Sequence, residues 1–288
     1  LLLAAADAAL WFFIVAGNAT IPTTQYYFLN VGQGDSELIL FPKKGGFARR
    51  SLGGGGGTVK LLIDGGPDAK LSDELGKALS ANARVIDLVL MTHPQLDHFG
   101  GFIEVLKNYR VGAFLGTGRK GTTGAYSELM RIIRERNIPY VTLARGSRIA
   151  YGDAVIDVLS PNNRNLASKE LNDGCLVLRV QSDNVRALLT CDAGANVERE
   201  LAARDDVRAD ILKAGHHGSR FSSDALFLSK VQPKVAVIEV GKNSYGHPTK
   251  DALTRLATAG AQIFRTDKNG MVKIISDGGM LRVFTERE

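Results

Sequence analysis

The chain has 288 residues, enough for one large domain or two small ones. A hydrophobic content of 44% supports a sizeable core, and a count of only two cysteines excludes a cysteine-built zinc site. The net charge of +6 favours an anionic partner such as nucleic acid or anionic lipid, although a merely basic surface reads the same way.

The first segment, Leu1 to Gly17, reads LLLAAADAALWFFIVAG with Asp7 as its single charge. Trp11, Phe12 and Phe13 stand in a row with no amphipathic period, which favours a membrane environment over a buried core helix. The segment sits at the short end of the ~17–25 residues that a membrane span needs. Three readings stay open: the end of a larger transmembrane region, a signal-anchor, or the apolar part of a signal peptide ending near Asn18-Ala19. The expected organisation is a hydrophobic segment at 1–17, a linker at 18–24 and a folded domain at 25–288.

Gln25 to Val31 and Ser36 to Phe41 read as strands joined by a tight turn, Gly32-Gln33-Gly34-Asp35. A basic, glycine-rich stretch from Pro42 to Gly57 then predicts a long flexible hairpin loop. A strand resumes at Thr58 to Ile63 and ends in Asp64-Gly65-Gly66. Leu71 to Ala81 is expected to be helical, and the apolar run Val85 to Met91 to be a buried strand. Helices follow at Phe102–Tyr109 and Ala125–Arg136, with a strand at Val111–Leu115 between them. Strands dominate from Tyr140 to Thr190. Beyond them, helices at Val197–Ala203, Asp224–Val231 and Ala252–Ala259 alternate with strands at Asp210–Ala214, Val235–Val240 and Gln262–Phe264. A hairpin across Asp277-Gly278-Gly279 closes the chain. The pattern implies two β-sheets packed together with helices outside. Cys175 and Cys191 flank a hairpin whose turn is Asp183-Asn184; two buried free thiols are the expectation, with a cross-strand disulfide as the alternative.

All five histidines fall in short Gly/Pro-punctuated segments that follow apolar strands. Imidazole is the commonest metal ligand, so their grouping predicts one metal-dependent site. In His93-x-x-x-Asp97-His98, imidazole nitrogen and carboxylate oxygen converge on one loop, a donor set that suits a divalent cation. Asp192 ends an apolar strand before a helix, where a carboxylate can bridge two cations; taken alone, it reads first as a helix N-cap. His216 and His217 are adjacent and cannot point the same way, so one can bind metal while the other orients it or handles protons. Lys242, Asn243 and His247, in Gly241-Lys242-Asn243-Ser244-Tyr245-Gly246-His247-Pro248, are placed to reach a phosphate or a leaving group.

These segments together resemble the metallo-β-lactamase superfamily, and within it the hydrolase domain attached to the ComEC-type DNA-uptake channel. The resemblance rests on six motifs in order: Phe28 to Ser36 (FLNVGQGDS), Leu62 to Gly66 (LIDGG), His93 to Gly101 (HPQLDHFGG), Leu189 to Asp192 (LTCD), Gly215 to Ser219 (GHHGS) and Tyr245 to Pro248 (YGHP). It implies a four-layer αββα sandwich. It also implies metal ligation by His93, Asp97, His98, a bridging Asp192 and His216, with His217 as the alternative ligand, and a substrate-side position for His247. Gln95 departs from the family, which usually carries His or Asp there. A neutral amide is the weaker ligand, so the centre is expected to hold one or two ions, Zn²⁺ or Mn²⁺.

The implied activity is metal-assisted hydrolysis of a phosphodiester, with single-stranded DNA or another phosphodiester as the expected substrate. The expected setting is the bacterial envelope, membrane-associated or extracytoplasmic, with a membrane contact through residues 1–17. Asp97, His217 and His247 are the expected catalytic groups. Lys43, Lys44, Arg49 and Arg50 on the flexible loop, with Lys242 and Asn243, are the expected phosphate contacts. Two alternatives compete: hydrolysis of another ester (lactone, thioester or envelope phosphoester), and a non-catalytic DNA-binding module in which Gln95 marks a lost metal site.

Overall fold

A computed structural model describes residues 23–42, 58–277 and 280–288 of the chain. The expectations for Leu1–Gly17 and for Lys43, Lys44, Arg49 and Arg50 lie outside the described residues.

Alternation along the strands decides the architecture. In β1 (Gln25–Phe28), Tyr26 and Phe28 face one way and Tyr27 the other; in β2 (Glu37–Pro42), Ile39 and Phe41 oppose Leu38 and Leu40. Both faces are apolar, so both must be covered. One face packs against a second sheet and the other against helices, which gives two sheets flanked by helices on each side.

The first sheet also contains β3 (Thr58–Ile63), β4 (Val85–Leu90), β5 (Arg110–Gly116) and β6 (Tyr140–Thr142). The second contains β7 (Arg148–Tyr151), β8 (Ala154–Ser160), β9 (Val177–Ser182), β10 (Val185–Leu189), β11 (Ile211–Lys213), β12 (Val235–Ile238) and β13 (Gln262–Arg265). The closing hairpin, β14 (Val272–Asp277) and β15 (Met280–Thr285), returns to the first sheet and sets β14 beside β1. Strands β3 to β6 run parallel, as do β10 to β13.

Helices α1 (Lys70–Ala78), α2 (Phe102–Asn108) and α3 (Gly124–Glu135) bury Leu71, Leu75, Phe102, Val105, Leu129 and Ile132 against the first sheet. On the second sheet lie α4 (Ala195–Arg204), α5 (Ala225–Val231) and α6 (Lys250–Thr258), through Val197, Leu201, Phe227, Val231 and Leu256. Asp224 caps α5 by accepting from the backbone N–H groups of Leu226 and Phe227.

Three expectations are corrected. Residues 32–35 do not form a tight hairpin turn: Phe28 pairs with Glu37, the Leu29 N–H still donates to the Ser36 carbonyl, and residues 30–35 make a wide arch between them. Gly34, at φ +153°, passes so close to the Asp97 carbonyl that a Cβ would collide with it, and the Asp35 N–H donates to that carbonyl. The helix expected to run to Ala81 stops at Ala78, because Leu79 turns extended and buries its side chain in the core. Cys175 and Cys191 are joined as a disulfide rather than left as thiols. Asp183 and Asn184 both take positive φ in a two-residue turn that pairs Ser182 with Val185. That register puts the cysteines one residue out of direct opposition, so the bridge lies just beyond the ladder and ties its two open ends together.

Two stability predictions follow from this packing. The disulfide closes a sequence separation of 16 residues, so replacing both cysteines with alanine should lower the unfolding free energy by about 2–4 kcal/mol in urea titrations. Glu198 on α4 is buried, and its two oxygens accept from the Ser223 and Asp224 N–H groups. Burial raises its pKa from 4.5 to about 7. The folded chain therefore holds this proton where the unfolded chain has lost it, and stability falls as pH rises from about 4.5 to about 7. The contribution is on the order of 1 kcal/mol per pH unit, and Glu198→Gln should flatten that part of the stability profile.

Candidate metal centre

Parallel strands release their C-terminal loops at one end of a sheet. Here β3 leads to Asp64, β4 to the 93–98 segment, β10 to Asp192, β11 to His216 and His217, and β12 to Glu239 and the loop ending at His247. The arch before β2 brings Asp35 to the same place.

Asp97, His98, Asp192 and His217 form one group, with a ligand atom from each lying within 4.8 Å of all the others. His98 Nε2 is 3.3 Å from Asp192 Oδ2, and His217 Nε2 is 3.4 Å from Asp97 Oδ2. His98 Nε2, His217 Nε2 and Asp192 Oδ1 are buried without a hydrogen-bond partner. Orphaned polar atoms of this kind call for an explanation. Two imidazole nitrogens and two carboxylates are a donor set that fits a divalent cation such as Zn²⁺ or Mn²⁺.

The layer behind these atoms sets their orientation. His217 Nδ1 donates to the Glu239 carbonyl at 2.9 Å, which turns Nε2 towards Asp97 and Asp192. His98 Nδ1 donates to Asp64 Oδ2 at 2.7 Å, with the same result. Asp64 also accepts from the Thr92 N–H and hydroxyl at 2.7 and 2.6 Å, so one buried carboxylate anchors both the strand end and the ligand. Lys213, wholly buried, pairs with Asp35 and donates to the Cys191 carbonyl at 3.0 Å. Asp35 in turn lies 3.1 Å from His217 Nδ1.

Charge dominates the local titration. Burial opposes ionisation of Asp192, but His217 and His98 outweigh it and hold the carboxyl well below its ordinary range. Burial also opposes protonation of His217; Asp192 and Asp35 overcome it and push the imidazole up to about 10. His93 goes the other way, down to about 3, because burial and the neighbouring His98 both disfavour its cation. Burial, reinforced by Asp35, raises Glu239 to about 8.

The structure does not bring all the expected residues together. His93 is buried beside His98, with ring centroids 4.1 Å apart, but stands outside the four-residue group; its Nε2 lies 3.1 Å from Gln95 Oε1. It is His217, expected to move protons, that joins the group. His216, the expected ligand, is 34% exposed at its side chain, with Nε2 3.9 Å from Asp192. Both take positive φ, which turns the two rings apart. His247 lines the same cleft, of about 500 Å³, with Gln33, Gln95, Leu96, Asn172 and Tyr245. The Asn243 amide is engaged by its own loop. It donates to the Gly241 and His247 carbonyls and accepts from the Tyr245 and His247 N–H groups, so it is spent in bracing the loop. Lys242 is exposed.

Asp35, Asp64, Lys213 and Glu239 were not among the expected site residues. Their signal in the sequence is a charge that closes an apolar strand (Ile211-Leu212-Lys213, Val237-Ile238-Glu239) or an acid beside a glycine (Gly34-Asp35, Asp64-Gly65).

Residues 52–241 match the family model described as Metallo-beta-lactamase superfamily. ComE operon protein 3 of Bacillus subtilis is 29% identical over 253 residues, which span 85% of this chain and 32% of that protein. Competence protein ComA of Neisseria gonorrhoeae is 29% identical over 235 residues, 78% of this chain and 31% of that protein. The chain thus spans about a third of the length of these curated relatives. Among solved structures, the metallo-beta-lactamase fold protein YhfI of Bacillus subtilis superposes with a TM-score of 0.55 at 11% identity, covering 91% of this chain and all of that one (100%).

The geometry predicts that Asp64→Asn lowers divalent-metal affinity by about 10–100-fold, the usual cost of removing a partner behind a ligand. His216→Ala should cost less. Calorimetric titration with Mn²⁺ or Zn²⁺ checks both.

Proposed function

The chain belongs to the metallo-β-lactamase superfamily, and on that premise we propose that residues 25–288 form a metal-dependent phosphodiesterase acting on DNA in a competence protein of the bacterial envelope. The observation that carries the reading is the group of Asp97, His98, Asp192 and His217, with unpartnered buried atoms facing a cleft large enough for a nucleotide. The names of the relatives, ComE operon protein 3 and Competence protein ComA, support a role in competence, and the net charge of +6 suits a polyanion. Among the described residues no helix is long and apolar enough to cross a membrane.

Asp97, His98, Asp192 and His217 would hold the cation, which supplies Lewis-acid polarisation of a phosphoryl oxygen and a lowered pKa for water. The chain's own residues do the rest. Asp64, Asp35 and the Glu239 carbonyl keep the two imidazoles in the tautomer that presents Nε2. Burial and the neighbouring His216 and His217 lower the pKa of His247, so at neutral pH it is an uncharged imidazole. It lines the cleft as a neutral imidazole able to accept the proton released from the attacking water. Lys242, exposed on the same loop, is placed to meet a flanking phosphate. Asp97, His98, Asp192 and His217 come together without drawing on the Gln95 amide, which favours catalysis over a retired site.

The test is cleavage of end-labelled single-stranded DNA with Mn²⁺ or Zn²⁺. Asp97→Ala and Asp192→Ala should each reduce the rate by at least about 100-fold, the scale of losing a group that stabilises transition-state charge. Unchanged cleavage in both variants would contradict the site. Hydrolysis of lactones or thioesters with no action on DNA would favour the other ester reading.

A further inference from the structure

Tyr245 is 73% exposed, although it belongs to a loop fixed as firmly as a strand. The Asn243 amide makes its four hydrogen bonds within the loop, at 2.9 to 3.1 Å. At the loop's start, the Gly241 N–H donates to Gln33 Oε1, and Gly241 packs so closely on Gly32 that a Cβ would collide. The ring is thus held in water by a rigid mount, where folding gains nothing from its apolar face.

Its position suggests what that face meets. Tyr245 lines the cleft that contains Asp97, Asp192 and His217. A relay of rings leads inward from it: Tyr245 to His247 at 5.8 Å, His247 to His216 at 5.6 Å, and His216 to His217 at 6.0 Å. Leu96, 48% exposed, also lines the cleft. The cleft therefore combines a floor of carboxylate and imidazole with exposed apolar groups at its rim. A nucleotide has the matching division, an anionic phosphate beside a flat apolar base.

We propose that Tyr245 is the stacking platform for an unpaired base next to the phosphate lying over the metal group, and that it makes the site select single-stranded over duplex DNA. The inference rests on the DNA phosphodiesterase reading above. Stacking on an aromatic ring is indifferent to base identity because every base has a π-face. A base within a duplex is already stacked and paired, and reaches Tyr245 only if it is first extruded.

The experiment uses the full chain with Mn²⁺ and compares the wild type with Tyr245→Ala and Tyr245→Phe. Substrates are a single-stranded oligonucleotide, the same oligonucleotide with abasic positions, and its duplex. Metal content and melting temperature are measured for each protein. Tyr245→Ala should raise KM for the single strand by about 5- to 150-fold, the range equivalent to one stacked base, with kcat nearly unchanged. Tyr245→Phe should behave as the wild type, and abasic DNA should be insensitive to either change. Fluorescence of a 2-aminopurine at that base should be quenched on binding to the wild type and Tyr245→Phe, and not on binding to Tyr245→Ala. Cleavage of single strands by Tyr245→Ala at the wild-type KM would overturn the stacking role and leave the phosphodiesterase reading standing. Equal losses on intact and abasic DNA would also overturn it, as a general loop defect. A metal-loaded wild type that cleaves no oligonucleotide would end both.

Discussion

The acidic groups at the parallel-strand end of this sandwich cannot stay buried unless positive charge joins them. Asp35, Asp64 and Asp192 are withdrawn from water, and Asp97 adds a fourth carboxylate beside them. Burying an ionised carboxylate costs several kcal/mol unless it is paired and hydrogen-bonded. Lys213 meets part of this demand at Asp35. Glu37 and Glu239, also buried, meet it another way: burial raises both pKa values, with Glu239 adding to the rise at Glu37 and Asp35 to the rise at Glu239, so the pair retains a proton near neutral pH. Asp192 has Lys213 only at 3.9 Å from its Oδ1, and Asp97 keeps a third of its side chain in solvent. Their partners are His98 and His217, and a divalent cation between the four is the arrangement that satisfies both the charge and the orphaned nitrogens.

That demand accounts for much of the local construction. Gly34 lets the first arch approach the Asp97 carbonyl, which delivers Asp35 beneath His217. Gly100 allows the turn after His98 to lie against the Pro67 carbonyl, where a Cβ would clash. The disulfide ties Cys191, the residue before Asp192, to Cys175 at the other open end of the β9–β10 ladder. The rigid sheets thus hold Asp97, His98, Asp192 and His217 together, while the later loop with Tyr245 and His247 lines the cleft beside them.

The layered architecture was legible because its signal is local: alternating apolar residues in strands, apolar stripes on helices, and histidines at strand ends. The motif His93-x-x-x-Asp97-His98 announced a metal centre for the same reason. What escaped was decided by distant residues. Nothing near His216 or His217 says which ring turns inward; that depends on Glu239 and Asp35, which come from other strands. Asn243 read as a phosphate contact because it is polar, in a glycine-rich loop and near a histidine, but the loop's own carbonyls and N–H groups claim its amide. The Gly32–Asp35 segment carried every mark of a hairpin turn, yet its glycines serve close approach to the 93–98 loop. The cysteines, expected as two buried thiols, are bridged because the two-residue turn at Asp183-Asn184 brings both to the open end of the ladder.

The most direct measurement is the position of the cation itself. A crystal of the full chain grown with Zn²⁺ and measured at the zinc absorption edge should give an anomalous peak about 2.0–2.2 Å from a carboxylate oxygen of Asp97 and of Asp192 and from Nε2 of His98 and His217. A peak held by His216 with His217 turned away, or zinc absent from all four atoms at saturating concentration, would contradict the account.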